Sequence, residues 1–187
     1  APFLSVLMDG CMERGRDISF GGRYNNYGFH GVGLATAIDS LDAIRRCVYE
    51  EKTHTARQML DVIDGCAPGE LLRQLRYDLP KFGTDDDGVN ETAVWLLRCW
   101  GDAVAPLRNE RGGRVRAGTG SAMFYLWHAD KIGDTPGGHR AGEAFGANYA
   151  PQLFVRDCGP LSVIRSFTAP DLKRVINGGP LTMEFHA

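Results

Sequence analysis

The sequence predicts an α/β fold that is helix-rich and has short strands. Apolar residues recur at helical spacing in several segments, whereas the alternation typical of a half-buried strand is confined to short stretches between them. Strands separated by helices favour crossover connections over a sandwich or a helix bundle. The 187 residues, 43% of them hydrophobic, are enough for one sizeable core. We therefore expect residues 1–187 to form a single domain.

The clearest helix signal covers Val89–Leu107. Its apolar residues form one stripe that is broad enough to pack against a sheet. The members of the stripe are Val89, Ala93, Leu96, Trp100, Ala103 and Leu107. Pro106 is expected to mark the end of this helix, because the residue before a proline is disfavoured in the α conformation.

Weaker signals predict further helices in the first third of the chain. Phe3–Arg14 has apolar residues on one side and is followed by a glycine. Thr36 with Asp39, and Thr55 with Gln58, have the spacing of helix-capping pairs. We therefore predict one helix at the N-terminus and a helix start at each of the two pairs.

The second half of the chain is predicted to be less regular. Arg111–Tyr149 is rich in glycine and has few periodic apolar residues, which favours a strand or two joined by long loops. Pro160 can begin a further helix, and the apolar residues of Leu181–Phe185 alternate with polar ones as in a half-buried strand.

Composition and charge narrow the classes of function. The formal net charge is −2 and no basic block occurs, so we expect neither nucleic acid nor membrane partners. No apolar run is long enough to span a bilayer and no signal-peptide pattern opens the chain, which favours the cytoplasm. The five cysteines are scattered without a Cys-x-x-Cys pair, which favours free thiols and gives no sign of a metal site.

Two short motifs invite ligand-binding interpretations that their neighbours oppose. Gly31-Val32-Gly33 resembles part of a dinucleotide fingerprint, but the third glycine is replaced by Thr36, and we expect no hydrophobic strand before the loop. The acidic run at 85–87 would need an acid at Gly83 and a glutamate at Val94 to form an EF-hand. We expect these acids instead to cap the following helix and complement its dipole.

Three blocks in a fixed order carry a resemblance to a known family. They are GGRYNNYGFHGVGLATAIDSL at Gly21–Leu41, PKFGTDDD at Pro80–Asp87 and TPGGHRAGEAFG at Thr135–Gly146. In these blocks the chain resembles the C-terminal half of the glycyl radical enzymes, the pyruvate formate-lyase-like family, nearly end to end. The resemblance implies part of a ten-stranded β/α barrel. Small departures, such as GGRYN for the usual GGARYN, leave the substrate class open.

Gly10-Cys11-Met12-Glu13 resembles the loop whose cysteine becomes the thiyl radical and whose glutamate acts as the base in glycyl radical dehydratases. However, Cys11 falls within a helical pattern, and the family carries a second, similar stretch just before its GGARYN block. We therefore expect the catalytic cysteine loop upstream of Ala1 and the glycyl radical loop beyond the C-terminus. Cys11 and Glu13 are the weaker alternative, and a buried helical thiol is the simpler interpretation of Cys11.

The resemblance also implies substrate contacts from the glycine-rich loop. Arg23, Asn25, Asn26 and His30 could direct polar groups at a small carboxylate or hydroxyl. The structural alternative is that the two asparagines hold turn conformations and that His30 pairs with a backbone carbonyl.

In the resembled family, a radical S-adenosylmethionine activating enzyme generates a glycyl radical, which oxidises the cysteine, and the thiyl radical abstracts hydrogen from a small substrate. The chain would then be a wall-forming segment of a pyruvate formate-lyase-type lyase or a dehydratase, homodimeric in full length and without a bound cofactor. The alternative is a non-catalytic subunit or stand-alone remnant that keeps the fold without radical chemistry.

Overall fold

The computed structural model of the protein describes residues 1–156 and 159–183. Its α-helices are α1 (Pro2–Leu7), α2 (Cys11–Arg14), α3 (Ile18–Gly21), α4 (Leu34–Ile44), α5 (Ala56–Ile63), α6 (Gly69–Tyr77), α7 (Asp87–Val104), α8 (Phe124–Trp127) and α9 (Pro160–Thr168). A π-helical turn, Arg45–Glu50, extends α4, and 3₁₀ turns cover Ala129–Lys131 and Leu172–Val175. The strands are β1 (Tyr27–His30) and β2 (Val115–Gly118).

The two strands pair in parallel, with Tyr27 opposite Val115 and His30 opposite Gly118. Parallel neighbours require a crossover connection, and here it contains α4 to α7. The predicted strand–helix alternation with crossover connections is therefore present in these residues.

The main core lies where α7 packs against both α4 and β2. Its buried members are Leu34, Ala35, Ile38, Phe82, Val89, Ala93, Leu97, Val104, Ala117, Tyr149 and Val175. A second cluster beneath α5 and α6 consists of Ala43, Cys47, Met59, Val62, Leu71 and Leu75. The helical layer therefore supports the sheet from one side, as the apolar stripe of α7 predicts.

Helix α7 begins and ends slightly earlier than the periodicity predicts. The Asp86 side chain caps it by accepting a hydrogen bond from the Val89 N–H at 3.0 Å, which confirms the capping interpretation of the acidic run for this residue. Leu107 lies beyond the helix and is 45% exposed, whereas Leu97 and Val104, which the predicted stripe does not include, are buried. Because the chain leaves the helix before Pro106, the last predicted turn does not form.

The prediction of one continuous helix at the N-terminus is wrong. Phe3–Arg14 contains two short helices, α1 and α2, because Gly10 adopts a φ of 84° between them. A left-handed residue cannot continue an α-helix, and glycine is the residue that adopts this conformation most easily. The apolar pattern runs through this break, so periodicity alone could not detect it.

One of the two predicted capping pairs is confirmed and the other is wrong. Thr55 and Gln58 form a reciprocal capping box at the start of α5. Helix α4, however, begins just after Gly33, so Thr36 and Asp39 lie inside it and are buried. Their side chains point into the core and make long-range hydrogen bonds instead of capping the helix.

In the predicted loop region, the structure has β2, α8 and a 3₁₀ turn, and α9 begins at Pro160 as expected. The last predicted strand is seen only in part: Leu181 forms a single antiparallel bridge with Asn148, and the positions after 183 lie outside the described residues. In the described ranges, every helix is too short or too polar for a membrane crossing.

Arg76 of α6 fixes the TPGGHRAGEAFG segment to the helical layer. Its guanidinium donates to the Gly138 carbonyl at 2.9 Å and to both carboxylate oxygens of Glu143 at 2.7 and 3.0 Å. It also lies 3.9 Å from the centre of the Phe154 ring. The Arg76 side chain is only 10% exposed and the Glu143 side chain is 40% exposed, so this bidentate pair is partly shielded from solvent on its arginine side.

We expect Arg76→Met to lower the free energy of unfolding by about 1–3 kcal/mol, because it leaves the Glu143 carboxylate and a carbonyl without their donor. The matched control is Arg73→Met on the same helix, where the side chain is 49% exposed and pairs with Glu70 and Asp78. The control should cost under about 1 kcal/mol, as surface pairs do. Urea titration measures both variants, and equal losses would contradict the anchoring role.

Candidate functional site

The two strands end at the same edge of the sheet, and a third segment joins them there. The Asn177 N–H donates to the Ala117 carbonyl at 2.8 Å, and the Thr119 N–H donates to the Gly178 carbonyl at 2.8 Å. The segment at 177–179 therefore lies along the free edge of β2. Loops that follow the carboxyl ends of parallel strands commonly carry binding residues, because the strands position them rigidly.

A histidine and an asparagine meet across this edge. His30 ends β1, and its Nε2 lies 2.8 Å from the Asn177 Nδ2. The amide nitrogen can donate to an imidazole nitrogen that carries no proton, so this contact can link the two side chains across the strand ends. Glycines make the contact possible, since a Cβ at Gly28 would lie 2.9 Å from the Asn177 Cγ and one at Gly118 or Gly120 would lie 3.1 Å from the imidazole Nδ1.

The loop after β2 is held by a second polar group. Asn148 has a positive φ of 57°, and its Oδ1 accepts from the Ser121 N–H at 2.9 Å. The Ser121 hydroxyl in turn accepts from the Asn148 N–H at 2.8 Å, and the Asn148 amide donates to Thr182 at 3.1 Å. A strained asparagine held by reciprocal hydrogen bonds gives this edge a rigid, polar wall.

The structure splits the predicted substrate-binding set. His30 lies at the C-terminal end of β1, whereas Arg23, Asn25 and Asn26 precede its N-terminal end. Asn26 and His30 are four positions apart along extended chain, which corresponds to about 13 Å. Asn25 also accepts hydrogen bonds from the Asn109 amide at 3.0 Å on its carbonyl and 3.3 Å on its Oδ1, contacts that fix a turn. These four side chains therefore do not converge on one point.

A strand, β1, does lead directly into the Gly31–Gly33 loop and α4 follows, but it is not the hydrophobic strand that precedes a dinucleotide fingerprint. The strand escaped prediction since all four of its residues are exposed and it lacks a hydrophobic run. Thr36, at the position of the missing third glycine, is buried and donates to the Gln152 Oε1 at 3.0 Å. The close helix–strand approach that a third glycine allows is therefore absent at this loop.

Cys11 and Glu13 do not form an assembled thiol–base pair. Cys11 is 2% exposed at the start of α2 and lies against Gly21, where a Cβ would be 3.0 Å from the thiol sulfur. Glu13 is exposed, and residues two apart on a helix do not face each other. Within residues 1–156 and 159–183, no three side chains of His, Cys, Asp or Glu cluster as metal ligands would.

Sequence reasoning did not identify Asn177 or Asn148 as site residues. Asn177-Gly178-Gly179 is a turn signal in the sequence, and Gly178 does have a φ of 89°. The contact that matters joins positions 147 residues apart, which no local pattern can reveal.

Comparisons with known proteins agree with this architecture. The family model described as pyruvate formate lyase-like matches residues 1–128. Trans-4-hydroxy-L-proline dehydratase of Clostridioides difficile is 28% identical over 183 residues, which is 96% of this chain and 23% of that protein. (2S)-3-Sulfopropanediol dehydratase of Klebsiella oxytoca is 26% identical over 192 residues, covering 98% of this chain and 23% of that protein.

Among solved structures, a glycyl radical enzyme from Archaeoglobus fulgidus superposes with a TM-score of 0.88 at 28% identity, over 98% of this chain and 24% of that one. The chain thus spans about a quarter of the length of the relatives it matches. The chain belongs to the pyruvate formate lyase-like family and resembles glycyl radical enzymes over nearly all of its length, which accounts for both its α/β fold and its three sequence blocks.

Proposed function

We propose that this chain forms part of the barrel wall and substrate pocket of a glycyl radical enzyme of the dehydratase type. The observation that carries the proposal is the meeting of His30, Asn177 and the Asn148 loop at the carboxyl ends of two parallel strands. In β/α barrels this end of the strands carries the substrate-contacting residues. The family membership of residues 1–128 supports it independently.

The substrate class that fits is a small polar molecule with hydroxyl or carboxylate groups. The relatives act, by their names, on hydroxyproline and sulfopropanediol, and both molecules combine a hydroxyl with an acidic group. An imidazole N–H can donate to either group, and the amides at this edge add further donors and acceptors. These similarities favour a dehydratase over a formate acetyltransferase.

In this proposal, hydrogen abstraction is performed by a thiyl radical from a cysteine outside residues 1–187, formed by a protein-based glycyl radical. A radical S-adenosylmethionine activating enzyme generates that radical in the cytoplasm, and the full-length protein is a homodimer without another bound cofactor. The residues described here orient the substrate and help to exclude water, which a radical intermediate requires.

His30→Ala in the full-length, anaerobically activated protein should raise KM for the substrate about 10-fold or more, since one lost hydrogen bond to a polar substrate group costs about 1–3 kcal/mol. The radical yield measured by electron paramagnetic resonance should stay unchanged. His30→Gln, which keeps a donor, should recover part of the loss. The matched control is Asn26→Ala at the opposite end of β1, which should leave KM unchanged.

Two results would contradict the proposal. If His30→Ala and Asn26→Ala changed KM equally, the carboxyl end of the strands would not be the substrate-binding end. If no glycyl radical formed on activation, the chain would belong to a non-catalytic subunit or remnant, the alternative function. A turnover screen of hydroxyproline, short diols and pyruvate separates dehydratase from carbon–carbon lyase activity.

A further inference from the structure

A second concave site lies between the C-terminal half of α7, β2 and the 3₁₀ turn Leu172–Val175. It encloses about 220 Å³ and is lined by four cationic side chains and one acid, which are Arg114, Arg116, Lys173, Arg174 and Asp102. None of these residues belongs to the His30 site. The whole chain has a formal charge of −2, so this concentration of positive charge is local.

The acids of the chain neutralise only part of this charge. Arg174 pairs with Asp102 and lies 3.9 Å from Asp171. The charged side chains of the other three cations, Arg114, Arg116 and Lys173, make no hydrogen bond or ion pair with any residue that the structure describes. The nearby C-terminal end of α7 supplies about half a negative charge. Roughly 1.5 positive charges therefore remain without a counter-charge inside one small cavity.

A solvated surface patch is the simpler alternative, because the repulsion between the cations is weak enough for the fold to tolerate the cluster even if it binds no ligand. Two unit charges about 7 Å apart repel by only about 0.6 kcal/mol in water, so the fold tolerates them. The backbone, however, holds these cations in place. Arg116 lies within paired β2 and is partly buried, and Arg114 takes part in a bridge with Arg108. An anion placed among them would interact with all of them at once.

We propose that this cavity binds a small dianionic oxyanion, of the phosphate or sulfate kind, free or as the head group of a phosphate monoester. Guanidinium groups bind such oxygens with paired, charge-assisted hydrogen bonds, which is why arginine predominates in oxyanion sites. The cavity is smaller than the roughly 300–1,000 Å³ of sites for drug-sized ligands, so it fits the charged group rather than a nucleotide. A phosphate monoester carries about −1.5 to −2 charges at neutral pH, which matches the uncompensated charge.

Calorimetric titration of the full-length protein tests this proposal with inorganic phosphate, sulfate and glycerol 3-phosphate, each against sodium chloride of equal ionic strength. We expect saturable binding that chloride does not reproduce. Arg116→Gln and Lys173→Gln should each weaken it at least about 10-fold, since each removes a charged hydrogen-bond donor. Arg57→Gln on α5, where the side chain is 74% exposed and pairs with Asp61, is the matched control and should bind normally.

Equal affinity for phosphate and glycerol 3-phosphate would identify the free oxyanion as sufficient, and binding of the monoester alone would identify a phosphorylated metabolite. Lys173 is exposed, so its variant remains informative if Arg116→Gln fails to fold. The proposal is overturned if chloride at equal ionic strength gives the same heat, or if both cavity variants bind like Arg57→Gln. None of these outcomes depends on radical activity, so failure here leaves the proposed function untouched.

Discussion

Replacing Asp39 with alanine is expected to lower the free energy of unfolding by about 2–5 kcal/mol, because two buried donors lose their acceptor at once. Asp39 is 1% exposed and accepts from the Phe82 N–H at 2.7 Å and from the Gln152 Nε2 at 2.6 Å. These bonds join α4 to the PKFG block and to the chain after Tyr149. Asp39→Asn keeps an acceptor for Phe82, and Gln152 can reorient its amide, so this variant should be nearly neutral at acidic pH.

Wild type and Asp39→Asn should also differ in the dependence of their stability on pH. Burial raises the pKa of Asp39 from 3.8 to about 7, although the Phe82 and Gln152 hydrogen bonds and the nearby Lys81 charge oppose it. The folded state therefore binds a proton that the unfolded state has released, and stability falls as pH rises from about 4 through 7. Such a shift corresponds to at most about 4 kcal/mol. Asp39→Asn should thus be the more stable protein at pH 8.

Urea titrations between about pH 3 and 8 measure this difference directly and also cover the range in which a carboxyl with a lowered pKa titrates. Glu143→Gln provides a control of opposite sign: burial opposes the shift, but the Arg76 guanidinium holds the pKa of the Glu143 carboxyl below its ordinary value. The stability that Glu143 contributes is therefore lost as pH falls. If wild type and Asp39→Asn followed parallel curves, the buried carboxyl would not titrate in this range.

Local signals explain what could be predicted from the sequence. The α7 stripe, its acidic cap at Asp86 and the Thr55–Gln58 box depend on residues within a few positions of one another. The structure contains the cap and the box, and it contains the stripe in part, since Ala103 and Leu107 are exposed. Periodicity missed the break at Gly10 because a single backbone angle decides it. It also missed β1, whose stability comes from pairing with β2 and not from its own exposed residues.

The site was harder to predict because long-range packing assembles it. The glycine-rich segment correctly marks where side chains approach the backbone closely, but the approaching side chain, Asn177, comes from the far end of the chain. Asn25, Asn26 and His30 are near neighbours in sequence, yet β1 places the asparagines and the histidine at opposite ends. Spacing in a loop therefore indicated the right region without indicating which residues converge.

Gly28→Ala should be costly for a reason that a second substitution can remove. The three atoms nearest to a Cβ at Gly28 would all belong to the Asn177 side chain, with Cγ at 2.9 Å and Oδ1 at 3.0 Å. Overpacking of this kind costs about 1–3 kcal/mol. Asn177→Ala alone should cost about 1 kcal/mol through the lost hydrogen bond to His30. Since alanine at 177 clears the space, the double variant should be more stable than the sum of the two losses predicts.

A double-mutant cycle by urea titration measures this coupling, which we expect at about 1–2 kcal/mol in favour of the double variant. Gly69→Ala at the start of α6 is the control, because nothing lies within 4 Å of its Cβ position. It should be stabilising by about 0.4–1 kcal/mol through the unfolded chain. Strictly additive losses at 28 and 177 would mean that the Asn177 amide does not lie across β1, and the orientation of His30 would then need another support. A positive coupling would instead show that the position of His30 depends on the absence of a side chain at Gly28.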